Sequence, residues 1–222
     1  MNVVDGKLVV LGSQGVGKTS MISRYSGKLF NPYASPTIGA SFFNCNLNVD
    51  NTRVKIQIWD TAGQERFKSM APMYYRNANA ALLVFDITQY NTFTAVKSWV
   101  TELQRNVEGP MVLVVVGNKN DLLDQRKVDS EEARKYATLI GASYYETSVL
   151  HDEGILRVFQ SIALGLVRLN NGEHHTSNLR IQDSPSSGIG SFDSDFPLTP
   201  SSEESLATSI AHGIHEKPPA CC

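Results

Sequence analysis

No apolar run in the 222-residue sequence exceeds six residues, no basic-then-apolar leader opens it, and it has only three cysteines. The first absence excludes a membrane-spanning helix, which needs ~20 apolar residues. The second, read over Met1-Asn2-Val3-Val4-Asp5-Gly6-Lys7, argues against a secretory signal. Two of the cysteines, Cys221 and Cys222, end the chain, and Cys45 is the third. A disulfide framework is therefore excluded in practice, and a reducing, cytosolic setting is expected. A surplus of one charge is missing as well. Twenty basic residues face twenty-two acidic ones, a net charge of −2, so nothing points to nucleic acid as a partner.

What is present is a composition of 41% apolar and 19% charged residues, ordinary for a globular protein and suited to one domain with a tail. The pattern breaks near Asn170. Beyond it come seven acidic residues against two basic ones, with Ser, Pro and Gly dominating. Such a segment offers too little apolar surface to offset the entropy of ordering it, so 170–222 reads as a disordered tail after a domain at 1–169. Inside the tail, Ser201 and Glu204 have capping-box spacing and Leu206, Ile210 and Ile214 recur every fourth residue. A helix this short is marginal alone, so it is either a solvated stretch or one that folds on a partner.

Within 1–169, strands and helices alternate. Strands are expected at 7–11, 41–49, 53–59, 80–85, 111–116 and 142–146. Helices are expected from Lys18, across Phe93, Val96, Trp99, Val100 and Leu103, at 130–140 and at 153–169. The alternation of Phe43, Cys45, Leu47 and Val49 with Val54, Ile56 and Ile58 suits an antiparallel hairpin with one buried face. The continuous runs at 80–85 and 111–116 suit parallel strands covered on both faces. The expected class is α/β, a mostly parallel sheet with one antiparallel hairpin and helices on both faces.

Three motifs lie on this frame. Gly12-Ser13-Gln14-Gly15-Val16-Gly17-Lys18-Thr19 fits G-x-x-x-x-G-K-[ST], between a strand and a helix. Its glycines let successive amides face a phosphate, the helix N-terminus adds its dipole, Lys18 supplies a point charge, and Thr19 can ligate Mg²⁺. Asn118-Lys119-Asn120-Asp121 follows a buried strand. The Asp121 carboxylate can accept two hydrogen bonds from guanine and would be left unpaired by adenine. Asp60-Thr61-Ala62-Gly63-Gln64-Glu65 ends another strand, where Asp60 can hold Mg²⁺ through its waters, Gly63 can approach a γ-phosphate and Gln64 can orient water. Each stretch alone also reads as a turn; their order along one chain favours a GTP site.

These residues resemble the Ras superfamily of small GTPases, whose fold is the P-loop G domain with a six-stranded sheet. Trp59-Asp60-Thr61-Ala62-Gly63-Gln64-Glu65-Arg66-Phe67 and Met73-Tyr74-Tyr75-Arg76 look like the Rab family. The stretches 35–42 and 71–75 are most similar to Rabs of early endocytic traffic. The resemblance implies that GTP or GDP is bound by Gln14, Gly15, Val16, Gly17, Lys18, Thr19, Ser20, Phe30, Thr37, Gly63, Asn118, Lys119, Asp121, Ser148 and Val149. It implies Mg²⁺ held by Thr19, Thr37 and Asp60, catalysis by Gln64 and Lys18, and effectors read by Phe42, Trp59 and Tyr74. It also implies lipidation of Cys221 and Cys222 by two geranylgeranyl groups. The expected partners are effectors, an exchange factor, a GTPase-activating protein, a prenyl escort and a GDP-dissociation inhibitor. The chain is expected to act as a monomer on the cytoplasmic face of endosomal membranes, with a cytosolic pool.

Two lipids suit the physics, since one anchors marginally and no polybasic stretch precedes the cysteines. A tail at 170–222 spans ~40 Å by the scaling ~5–6 Å × √n. Two departures from the family stand out. Ser148-Val149-Leu150 replaces the usual Ser-Ala-Lys, which predicts weaker nucleotide retention. Gln14 occupies a position often held by glycine, which predicts slow intrinsic hydrolysis. Together they keep open a rival reading, a GTP-holding docking module that barely turns over. An ATP-using P-loop enzyme is undercut by Asp121.

Overall fold

A computed structural model describes residues 2–49, 51–64, 67 and 70–173. The rest of the expected tail, with the Ser201, Glu204, Leu206, Ile210 and Ile214 pattern, and the terminal cysteines lie outside these residues. The order is β1 (Asn2–Leu11), α1 (Lys18–Tyr25), β2 (Ala40–Val49), β3 (Thr52–Thr61), α2 (Ala71–Tyr75), β4 (Ala80–Asp86), α3 (Tyr90–Asn106), β5 (Val112–Asn118), a 3-10 turn (Asn120–Gln125), α4 (Ser130–Leu139), β6 (Ser143–Thr147) and α5 (Ile155–Asn170). The six strands form one sheet in the order β2-β3-β1-β4-β5-β6. Its one antiparallel pair is β2 with β3, where Val49 faces Thr52 and Phe42 faces Trp59. The other neighbours run parallel.

Strand geometry sends successive side chains to opposite faces, and here both faces are apolar. Leu8, Val10, Leu82, Val84, Val114 and Val116 enter one core with α1 and α5. Their chain neighbours Val9, Leu11, Leu83, Phe85, Leu113 and Val115 enter the other with α2, α3 and α4. That is the double burial implied by the unbroken runs in β4 and β5. The outer hairpin instead alternates, with Asn44, Asn46, Lys55 and Gln57 exposed between inward-facing residues. All the parallel strands end on one side, and the motif loops follow them.

The structure differs from the sequence expectations at the edges of elements. β1 starts at Asn2 rather than 7, because Asn2 through Val10 pair with Thr52 through Asp60 of β3. α5 starts at Ile155, since Gly154 holds a left-handed φ of 75° and Glu153 is bridged to Ser148. α2 and the 3-10 turn were not anticipated.

Candidate functional site: a cleft at the strand ends

Gly17 sits at φ 98°, a backbone region that L side chains rarely adopt, and it launches α1. α1 has no side-chain cap and no acidic residue in its first turn. In α4, by contrast, Asp129 Oδ1 accepts from the amides of Glu131 and Glu132 at 2.8 and 2.9 Å. The amides at the start of α1 are thus left for an anion, with the helix dipole behind them. Lys18 is buried, and its Nζ donates to the carbonyls of Gly12 and Ser13 at 2.7 and 2.9 Å. Burial lowers its pKa to about 8, partly opposed by the charge of Asp60.

Behind Lys18, three side chains converge. Thr19 Oγ1 donates to Asp60 Oδ2 at 2.5 Å and lies 2.8 Å from Thr37 Oγ1. Since the single Thr19 proton goes to Asp60, Thr37 is the donor of the second bond. Asp60 is fully buried, and its other oxygen, Oδ1, has no hydrogen-bond partner. Burial raises its pKa, against the pull of Thr19, Lys18 and Thr37. An orphaned carboxylate oxygen beside two hydroxyls fits a hard divalent cation that takes its remaining oxygens from phosphate and water. Among the described residues no three His, Cys, Asp or Glu side chains form a metal cluster, which accords with a site built this sparsely. Gly63 presses on the same loop. A Cβ there would meet the main chain of Ser13 and Gln14 and approach Lys18 Nζ to 2.6 Å.

The loop that follows β5 is anchored from beneath. Asn118 is buried. Its Nδ2 donates to the Val16 carbonyl at 2.8 Å, and its Oδ1 accepts from Thr147 Oγ1 at 3.0 Å. One amide therefore ties the phosphate loop to β6. Ser148 Oγ donates to Asp121 Oδ1 at 2.5 Å and accepts from the His151 amide at 3.1 Å. Lys119 takes a left-handed φ of 69°, and its Nζ lies 2.6 Å from Asp86 Oδ2.

Together these loops bound a cleft of about 440 Å³. Gln14, Gly15, Gly17, Lys18, Thr19, Ser20, Phe30, Thr37, Gly63, Gln64, Asn118, Lys119, Asp121 and Val149 all line it, as does Leu150. Three expected residues do not. Val16 is buried in the core, Asp60 lies beneath Thr19, and Ser148 is buried where it supports Asp121. A larger groove of about 530 Å³ lies near the strand starts, lined by Arg157, Leu164, Arg168 and Glu173 among others. None of residues 12–19 or 118–121 lines it.

The three aromatics form a contiguous strip outside the cleft. Phe42 and Trp59 face each other across β2 and β3 with ring centroids 5.4 Å apart, and Tyr74 of α2 lies 5.8 Å from Trp59. Phe42 is exposed, and so are Ile38 and Met73. Sequence reasoning missed Asp86 and the bidentate pair of Arg126 with Glu146, whose bonds are 2.9 and 2.7 Å. Both are single charges whose partners lie far along the chain, with no local pattern to mark them.

Residues 7–168 match the Ras family. The chain is 43% identical over 187 residues to the Ras-related protein Rab5 of Nicotiana tabacum, covering 84% of this chain and 93% of that one. It is 46% identical over 162 residues to the GTP-binding protein ypt5 of Schizosaccharomyces pombe, covering 72% and 77%. It is 44% identical over 161 residues to the Ras-related protein Rab-21 of Bos taurus, covering 72% of each.

Proposed function

The chain belongs to the Ras family and is a Rab-like GTPase of vesicle traffic that hydrolyses GTP to GDP; on that premise we propose how its residues divide the work. The α1 amides and Lys18 bind the β- and γ-phosphates, and Asp121 selects guanine, aimed by Ser148. Thr19, Thr37 and, through bound water, Asp60 are the residues that would hold Mg²⁺. When bound, the ion would neutralise the negative charge of the phosphates. Gln64, on the cleft wall beside Thr37 and Gly63, orients the attacking water. Thr37 and Gly63 sit in the two segments that γ-phosphate contacts order and hydrolysis releases.

The observation that carries this reading is the meeting of Thr19, Thr37 and the unpaired Asp60 oxygen. It joins three separate segments of the chain at one point. The segment Asn31-Pro32-Tyr33-Ala34-Ser35-Pro36 contains no arginine, so hydrolysis alone is slow. A GTPase-activating protein that brings an arginine accelerates it by ~10³–10⁵. An exchange factor, a GDP-dissociation inhibitor and effectors that read Phe42, Trp59 and Tyr74 complete the cycle. Two prenyl groups on Cys221 and Cys222, added with an escort protein, hold the monomer at endosomal membranes.

A phosphate-release assay on GTP-loaded protein, with and without an activating protein, tests the cycle. Strong stimulation is expected. Negligible turnover in both arms would favour the docking-module reading, which Gln14 at the cleft wall keeps in play. Imaging of the tagged chain with and without Cys221 and Cys222, against organelle markers, tests anchoring and address. Failure to bind GDP or GTP with magnesium would overturn the whole scheme.

A further inference from the structure

Asp86 ends β4 with 1% of its surface exposed, and neither phosphate nor purine recognition accounts for it. Its own turn holds it firmly. Oδ1 accepts from the Thr88 amide at 2.8 Å and from Thr88 Oγ1 at 2.7 Å, and Oδ2 accepts from Gln89 Nε2 at 3.1 Å. Burial alone would raise its pKa, yet the bonds from Lys119 and Thr88 hold the carboxyl below its ordinary value, so it is ionised at neutral pH. The turn that carries it is also tied to both flanks of the purine loop. The Ile87 amide donates to the Asn118 carbonyl at 3.1 Å, and the amides of Lys127 and Val128 donate to the Ile87 carbonyl at 2.8 and 3.0 Å.

Against this fixed carboxylate stands Lys119 Nζ, 2.6 Å from Oδ2. Lys119 needs the holding, because its φ of 69° is uncommon for a residue with a side chain. That backbone reversal opens the 3-10 turn Asn120–Gln125, and Asp121 stands on its first residues. Lys119 and Asp121 then line the same cleft. On the same wall Leu150 brings no charge of its own.

We propose that Asp86 is a positioning residue for nucleotide retention: it fixes the Lys119 ammonium, and through it the turn from which Asp121 meets the base, without itself touching the nucleotide. This rests on the reading of the cleft as a guanine-nucleotide site. Because the Asp86 carboxylate is buried and the Lys119 side chain only partly exposed, salt screens the pair little.

The test is a double-mutant cycle on the full chain loaded with fluorescent mant-GDP and Mg²⁺ and chased with excess GDP. Asp86→Asn is expected to raise the dissociation rate about tenfold, the order expected from losing a charge-assisted hydrogen bond. Lys119→Met, which keeps the stem and drops the charge, is expected to raise it too. The double variant should release GDP no faster than Lys119→Met alone, because Asp86 acts through Lys119. Multiplying effects, or an unchanged rate in Asp86→Asn, would overturn the proposal. Should Asp86→Asn not fold, Thr88→Ala removes one donor to the carboxylate and leaves the charge. It should give a smaller rise that vanishes in the Lys119→Met background, and no rise would again overturn it. Failure of the underlying site reading looks different, since the wild-type chain would then hold no mant-GDP at all.

Discussion

Asn118→Ala tests whether one buried amide joins the phosphate loop to the purine loop. The side chain bridges the Val16 carbonyl, 2.8 Å away, and the Thr147 hydroxyl, 3.0 Å away, in a place closed to water. Truncation leaves both partners buried and unpaired. Each such orphan costs ~1–3 kcal/mol, so the pair amounts to ~2–6 kcal/mol. For a domain this size that lowers the melting temperature by at least ~4 °C. Thr147→Val removes only one donor, at a cost of ~1–3 kcal/mol. Urea unfolding at two GDP concentrations separates the terms, because the binding share grows with ligand and the structural share does not. GDP release should quicken in both variants, more in Asn118→Ala. The reasoning fails if Asn118→Ala stays within ~0.5 kcal/mol of wild type, the range of a neutral surface change. It fails equally if stability drops while GDP release is untouched, for then the amide serves the core and not the site.

Other expectations follow from neighbouring geometry. Gly63→Ala drives a Cβ into the main chain of Ser13 and Gln14, so affinity for a non-hydrolysable GTP analogue should fall ~10-fold more than affinity for GDP, by overpacking of ~1–3 kcal/mol; equal losses in competition binding would contradict this. Asp60→Asn removes the only charge of the Thr19–Thr37–Asp60 trio, so EDTA should speed GDP release from wild type and leave the already fast variant unchanged. Leu150→Lys restores a charged stem on the cleft wall and should slow GDP release; an unchanged rate would show that Leu150 does not weaken retention. For Glu146, burial pushes the carboxyl up, but bonds from Arg126 and Tyr144 outweigh it and hold it below the ordinary 4.5. The unfolded carboxyl then protonates first, so this stabilisation is complete above pH about 4.5 and is lost as the pH falls through the lower folded value. Glu146→Gln should flatten the acid limb of a stability profile taken from pH ~6 to ~3, and an equally steep limb would contradict the assignment.

The main architecture was legible because it is written in short-range pattern. Six residues without a polar break at 80–85 and 111–116 suit strands covered twice, and the alternating Phe43, Cys45 and Leu47 suit a strand covered once. The phosphate loop was legible for the same reason, since its glycines and Lys18 are contiguous. What escaped was set by distant partners. The first residues of β1 look polar, and only pairing with β3 makes them strand. α2 is five residues with a proline in its first turn, too short for any periodicity. Asp86 sits 33 positions from Lys119, and the bonds that tie Asn118 to Val16 and Thr147 reach across 102 and 29 positions. The motifs located the site; the long-range hydrogen bonds that brace it had no sequence signature.

The sheet also gives the domain two poles. The nucleotide loops crown the strand ends, whereas Arg168 and Glu173, at the close of α5, share a groove with Met111, Val112 and Ser143 at the strand starts. Any load applied to the chain beyond residue 173 therefore enters through α5 and passes into the packed base of the sheet, where Gly165 is seated against Val112. A pull at the far end of α5 would thus meet the floor of the sheet first, and would reach the cleft only along the helix, by way of Gly154 and the Ser148–Glu153 bridge.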